Sequence, residues 1–144
     1  MENRDLINLG KQILEAQSFS KLIGATLTKF AAGEVVLEIP IKDSLLQQNG
    51  FVHGGVLSYA ADNALTFVGG SVLGPHVLTS EYKINYLRPA VGEKIIAIGT
   101  VIHAGKRQAV CRCDVQVLHH GEKKTCATAQ GTIVTMDPTA NNNS

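Results

Sequence analysis

Residues 49–70 read NGFVHGGVLSYAADNALTFVGG. The stretch opens on His53-Gly54-Gly55 and continues as an apolar run with one carboxylate, Asp62, in its middle. Its length and its alanine and leucine content predict a helix from Gly54 or Gly55 to about Val68, stopped by Gly69-Gly70. Apolar residues occupy almost every side of it, which suits a helix covered by other structure rather than laid on a surface. The rest of the chain must supply the cover.

Upstream, residues 3–17 carry Leu6, Leu9, Ile13 and Ala16 at three- and four-residue spacing, the stripe of an amphipathic helix. From Ala25 to Phe30 and from Glu34 to Ile41 the period becomes two, with Ala32-Gly33 as the turn of a hairpin. Downstream come four strand-like runs, Val77–Leu87, Lys94–His103, Gln108–Leu118 and Thr125–Thr135. Arg88-Pro89 with Gly92, Gly105-Lys106 and His120-Gly121-Glu122 mark the turns between them. In the third run Ala109, Cys111, Cys113, Val115 and Val117 alternate with Arg112, Asp114 and Gln116, giving one packed and one wet face. Consecutive strands joined by tight turns predict an antiparallel meander. The fold class is therefore α+β: six antiparallel strands wrapped around a central helix, with a further N-terminal helix. One domain is expected over 1–136 and a flexible polar tail over 137–144.

Composition narrows the function. At 44% hydrophobic, 17% charged and a net charge of +1, the 144-residue chain is globular, with no basic block to serve as a nucleic-acid footprint. The apolar stretch 56–70 is interrupted by Ser58, Asp62, Asn63 and Thr66 and falls short of the ~20 residues a membrane span needs. MENRDLINLGKQ has no apolar core after its charges, so a cytoplasmic protein without a signal peptide is expected. The three cysteines lack the spacing and companion ligands of a zinc site; Cys111 and Cys113 are expected in the core, and no metal or cofactor is expected.

Glycines at a helix start can turn the chain and pack closely, or can leave the first backbone N–H groups open to a ligand. Those groups lack intrahelical partners and sit at the positive end of the helix dipole, where they could polarise a carbonyl. A carboxylate such as Asp62 is costly to bury without partners. Gly55 and Asp62 are seven residues apart, on one face but ~10 Å apart along the axis. A carbonyl held at Gly55 is thus out of easy reach of Asp62 on the same helix. Two antiparallel copies across a two-fold axis would remove the difficulty, so the spacing favours a dimer if both groups act.

These residues resemble the hotdog-fold thioesterases, in particular the phenylacetate-degradation thioesterase family. The match rests on His53-Gly54-Gly55 with an acid nine residues after the histidine, on Gly50 four residues before Gly54, on INYLRPA (Ile84 to Ala90) with Gly92, and on Gly105-Lys106-Arg107. It covers about residues 20–135. The resemblance implies metal-free hydrolysis of acyl-coenzyme A thioesters by a homodimer or dimer of dimers. It implies that the Gly54 or Gly55 amide polarises the thioester carbonyl, and that Asp62 of the other subunit activates water or attacks directly. Thr79 falls where relatives place a Ser or Thr that positions the water, and His53 would brace the loop or bond near the thioester. Where relatives carry an Asn six residues before the histidine this chain has Gln47, with Asn49 nearby and out of register; both are candidate substrate contacts.

Coenzyme A would bring phosphates to the rim, where Arg88, Lys106 and Arg107 are candidates to meet them. Phe51, Tyr59 and Tyr82 are expected beside the acyl pocket, for an aryl or medium-chain group. Two other readings stand beside hydrolysis: a hotdog hydratase or dehydratase acting on acyl thioesters, and a non-catalytic acyl-CoA binder. The first would need the paired His and acid motif that this chain lacks.

Overall fold

The computed structural model describes residues 3–136; the tail expected over 137–144 lies outside them. Helix α1 (Asn3–Ala16) and a short helix α2 (Ser18–Ile23) lead into strands β1 (Thr26–Ala31) and β2 (Glu34–Pro40). A 3₁₀ turn over Asp43–Leu45 precedes α3 (Gly54–Leu73), followed by β3 (Val77–Tyr86), β4 (Lys94–Ala104), β5 (Gln108–His119) and β6 (Glu122–Thr135). All six strands form one antiparallel sheet in the order β1-β2-β4-β5-β6-β3.

Three features differ from the sequence reading. The meander is β4-β5-β6, whereas β3 pairs with β6 at the far edge rather than with β4. The cause is α3: twenty residues, roughly 30 Å long, it leaves β2 near one edge and lies across the inner face of the sheet before β3 begins. The helix also passes through Gly69-Gly70 instead of stopping there, and is capped by Gly74 at φ 105°. Gly69 marks a close approach: a Cβ there would stand 2.6 Å from Ile133 of β6. Helix α2 escaped notice because its six residues are too few to show a period, and because Gln17, extended at φ −86° and ψ 106°, breaks it from α1.

The inner face of the sheet closes on α3 as its burial pattern requires. Ala60, Ala61, Ala64, Leu65 and Val68 of the helix are fully buried, as are Val35, Leu37, Ile39, Ile95, Cys111, Cys113, Val115 and Ile133 of the strands. Small residues set the distance, for a Cβ on Gly99 would lie 3.0 Å from the Ala64 carbonyl oxygen. Burying each large aliphatic side chain is worth about 1.5–3 kcal/mol, so this contact holds the domain together. Helix α1 packs on β1 through Gly10, where a Cβ would meet Leu27 and Phe30 at 2.6 Å.

Candidate active site

Asp62 does not stand alone on α3. Gly54, Ser58, Asp62 and Thr66 recur every four residues, a narrow polar stripe on an otherwise buried helix, and it faces β3. Ser58 Oγ lies 2.5 Å from the Tyr82 hydroxyl. Thr79 Oγ1 donates to Asp62 Oδ1 at 2.7 Å. Thr66 Oγ1 lies 2.8 Å from both the Asp62 carbonyl oxygen and Thr79 Oγ1. Asp62 and Thr79 are each half-buried. The carboxylate therefore has one oxygen engaged by a hydroxyl and is neither solvated freely nor sealed in the core.

Both partners on β3 point inward because the strand carries a bulge. Strict alternation would set Thr79 and Tyr82 on opposite faces, but the register with β6 shifts between Thr79 and Glu81, and both turn towards α3. The acyl-pocket neighbours expected at Tyr59 and Tyr82 use their hydroxyls within the chain, Tyr82 on Ser58 and Tyr59 on Ser20 and Asn63.

At the other end of the stripe His53 is the N-cap of α3, and its Nδ1 accepts the Gly55 N–H at 2.8 Å. Of the two glycine amides, Gly55 is thereby engaged, while the Gly54 N–H makes no hydrogen bond among the described residues. The Tyr86 hydroxyl donates to the Gly54 carbonyl oxygen at 3.2 Å. A cavity of about 390 Å³ opens beside Gly54, with Gln47, Phe51, Leu57, Tyr86 and Arg88 among its walls. The Gln47 side-chain oxygen accepts the Asn49 N–H, which ties both residues to their loop.

Lys106 and Arg107 are not brought to Arg88 in one chain. The Arg107 carbonyl accepts the Thr135 N–H at the end of β6, whereas the backbone N–H of Arg88 meets Cys126 near its start. The spacing of Gly54 and Asp62 is equally decisive, since eight residues of helix separate them by roughly 12 Å. The chain thus sets a free amide with a cavity at one end of β3 and a braced carboxylate at the other. Sequence reasoning missed Ser58, Thr66 and Tyr86; the four-residue recurrence from Gly54 to Thr66 was the available signal for the first two.

Glu93, just before β4, and His119 and His120 at the β5–β6 turn form an exposed group whose ligand atoms are close enough to hold a metal ion. It lies at the opposite end of β6 from the Asp62–Thr79 pair. Burial pushes the Cys113 thiol up to about 12 and the Cys111 thiol up to about 11, the Asp114 charge adding to the first. Neither is a nucleophile poised for neutral pH. No helix among the described residues is long and apolar enough to cross a membrane.

A curled antiparallel sheet around one long helix, with a polar stripe along that helix, defines the hotdog class of α+β proteins. Residues 49–124, more than half of the chain, match the model of the thioesterase superfamily. The chain belongs to the thioesterase superfamily and is an enzyme of the thioester-hydrolase class. It is similar to acyl-coenzyme A thioesterase 13 of Homo sapiens, 28% identical over 108 residues, covering 73% of this chain and 77% of that protein. It is also similar to the medium/long-chain acyl-CoA thioesterase YigI of Escherichia coli K12, 26% identical over 143 residues, covering 88% and 90%. Among solved structures, a thioesterase family protein from Silicibacter pomeroyi superposes with a TM-score of 0.86 at 27% identity, over 94% of this chain and 98% of that one. The E. coli PaaI protein from the phenylacetic acid degradation operon shares the fold, with a TM-score of 0.82 at 21% identity, covering 94% and 96%.

Proposed function

We propose that this chain hydrolyses acyl-coenzyme A thioesters at a site shared between two copies of itself. The observation that carries the proposal is the Thr79–Asp62 hydrogen bond, which fixes a half-buried carboxylate on the face of α3 turned to the free sheet edge. The names of the human and E. coli relatives support coenzyme A as the thiol half of the substrate.

Edge strand β3 supports the shared site. Its outer edge has no partner strand among the described residues, it is ten residues long, and Leu78 and Tyr86 on it and Leu87 just after it are exposed. Such an edge is a template for pairing with another strand. Thr79 contacts Asp62 and Tyr86 contacts Gly54, and the two β3 residues lie roughly 23 Å apart along the strand. Antiparallel pairing of β3 with its own copy, centred on Tyr82–Lys83, sets Thr79 of one protomer opposite the partner's Tyr86. Asp62 then faces the partner's Gly54, and Lys106 and Arg107 approach the rim that carries the partner's Arg88.

In this arrangement the Gly54 N–H, reinforced by the helix dipole, hydrogen-bonds the thioester oxygen and favours the negative charge that develops on it. Asp62 takes a proton from a water whose oxygen attacks the carbonyl carbon. The carbon–sulfur bond then breaks, the acid leaves, and the coenzyme A sulfur recovers the proton. Thr79 holds the carboxylate in place. A cytosolic setting suits the three unpaired, buried cysteines.

The test is thiol release over a panel of acyl-CoAs by wild type and Asp62→Asn. A loss of about 10²-fold or more in kcat is expected for the variant. Equal rates would remove Asp62 from the mechanism, and no thiol release by the wild type would end the proposal.

A further inference from the structure

We propose that Glu93, His119 and His120 form a surface site for a zinc-class divalent cation, which clasps the β3–β4 loop to the β5–β6 turn. No step of the hydrolysis proposed above runs through this ion, and the inference does not rest on that reading. The adjacent histidine pair is a feature of the sequence that hydrolysis leaves unused. One nitrogen from each imidazole and one carboxylate oxygen of Glu93 all lie within 4.8 Å of one another. Ligands about 2.0–2.2 Å from a tetrahedral zinc stand about 3.4 Å apart, and exposed side chains close that difference by small torsions. Two imidazoles and one carboxylate suit zinc, nickel or copper, whereas magnesium and calcium take oxygen ligands.

The backbone brings the group together from two sides. Neighbouring residues of a strand point to opposite faces, yet the rings of His119 and His120 stand 4.0 Å apart between centroids. The cause is the two-residue turn His120-Gly121, with both residues at positive φ, 50° and 77°. Such turns ordinarily take Asn-Gly or Asp-Gly, and here the first place holds an imidazole instead. On the facing side Gly92 permits a close approach, since a Cβ there would lie 2.2 Å from the Leu118 carbonyl oxygen. Glu93 follows it, its N–H donating to that carbonyl at 2.8 Å. Glu93 Oε1 accepts the His120 N–H at 3.2 Å, which orients the carboxylate and leaves Oε2 open to an ion. Of the neighbouring lysines, Lys94 is paired to Glu38 at 2.5 Å and Lys123 adds to the field on the same carboxylate. Glu122, opposite His119 in the register, sets a further negative charge on that face. Local spacing hides the set, because Glu93 stands 27 residues before His120. The clasp has a place in the molecule, for Leu87, Arg88, Pro89 and Ala90 of the same loop wall the cavity beside Gly54. An ion at Glu93 steadies the root of that wall.

The test titrates zinc chloride into the full chain, made without a histidine tag and stripped of metal by a chelator. His120→Gly removes one ligand at a position whose φ of 50° suits glycine. Glu93→Gln removes the charge and keeps an acceptor for the His120 N–H, and it decides the matter should the first variant fold poorly. Calorimetry is expected to find one zinc per wild-type chain and a Kd at least about tenfold weaker in each variant. Amide hydrogen exchange at Glu93 and His120 is expected to slow when zinc is added to wild type and to stay unmoved in His120→Gly. Magnesium chloride at the same concentration is expected to do neither. No zinc uptake by the wild type, uptake of equal strength by both variants, or an equal response to magnesium would overturn the site. Zinc uptake that leaves exchange at Glu93 and His120 unmoved would overturn the clasp.

Discussion

Thr79 Oγ1 reaches from the edge strand to the middle of the central helix and donates to Asp62 Oδ1 at 2.7 Å. The bond is possible because a β-bulge turns Thr79 inward, and it holds a half-buried carboxylate beside the edge strand β3. Thr66 Oγ1 abuts Thr79 Oγ1 and bonds the Asp62 backbone carbonyl, so the hydroxyl that engages the acid is itself held from α3. If Thr79 positions Asp62, then Thr79→Ala lowers kcat about tenfold or more, with little change in KM, because a hydrogen bond to a charged group is lost. Thr79→Ser keeps the hydroxyl and is expected to retain most of the rate. Steady-state kinetics of the two variants check this, and equal losses in both would assign Thr79 to packing.

Gly54 occupies the first position of α3, where proline is well tolerated. The preceding residue is already suited to it, since His53 has φ −58° and ψ 135°, the extended region a pre-proline residue requires. Gly54→Pro therefore deletes the free N–H without breaking the helix. The expected outcome is a fall in kcat of about 10²-fold with the melting temperature nearly retained. Paired measurements of rate and thermal unfolding decide it; an unchanged rate would take the Gly54 amide out of the reaction.

His53 caps α3 through Nδ1, so its loss is first a matter of stability. His53→Ala is expected to cost about 1 kcal/mol, and His53→Asn, which restores a capping oxygen, a fraction of that. Chemical denaturation measures both.

Cys111 and Cys113 hold their protons up to about 11 and about 12 because they are buried, against an ordinary value of 9.0. The unfolded chain releases these protons first. Their contribution to stability is therefore complete below pH 9 and is lost as pH rises from 9 towards the folded values. Native protein is expected to resist thiol reagents at pH 8, and its melting temperature to decline above pH 9. Cys113→Ala should make that decline shallower, as melting curves from pH 7 to 11 would show.

The central helix, the strands and the buried face of β5 were legible in the sequence because each has a clean period. Cys111, Cys113 and Val115 alternate as the sheet requires, and all three are fully buried. The end of α3 was not legible, because Gly69-Gly70 looks like a stop when only the local chain is read. Its reason for being glycine is Ile133, more than sixty residues away. Long-range contacts likewise decide that β3 joins β6, which no local turn signal reveals. At the site, Asp62 and His53 stood out by residue type and place, whereas Thr79 was named only through the resemblance. The engagement of Gly55 by His53 could not be read, since it depends on a side-chain rotamer. Nor could the inward turn of both Thr79 and Tyr82, which depends on a bulge.

The central claim, that a carbonyl bound at one protomer's Gly54 N–H is attacked by water held on the partner's Asp62, is tested most directly by mixing two inactive variants. Gly54→Pro and Asp62→Asn chains, co-expressed under separate tags, form mixed dimers in which one site carries both defects and the other carries neither. The mixed population is expected to recover about a quarter of wild-type activity, as random pairing about a two-fold axis requires. A mixture no more active than its two parents would place both groups in one chain and contradict the shared site.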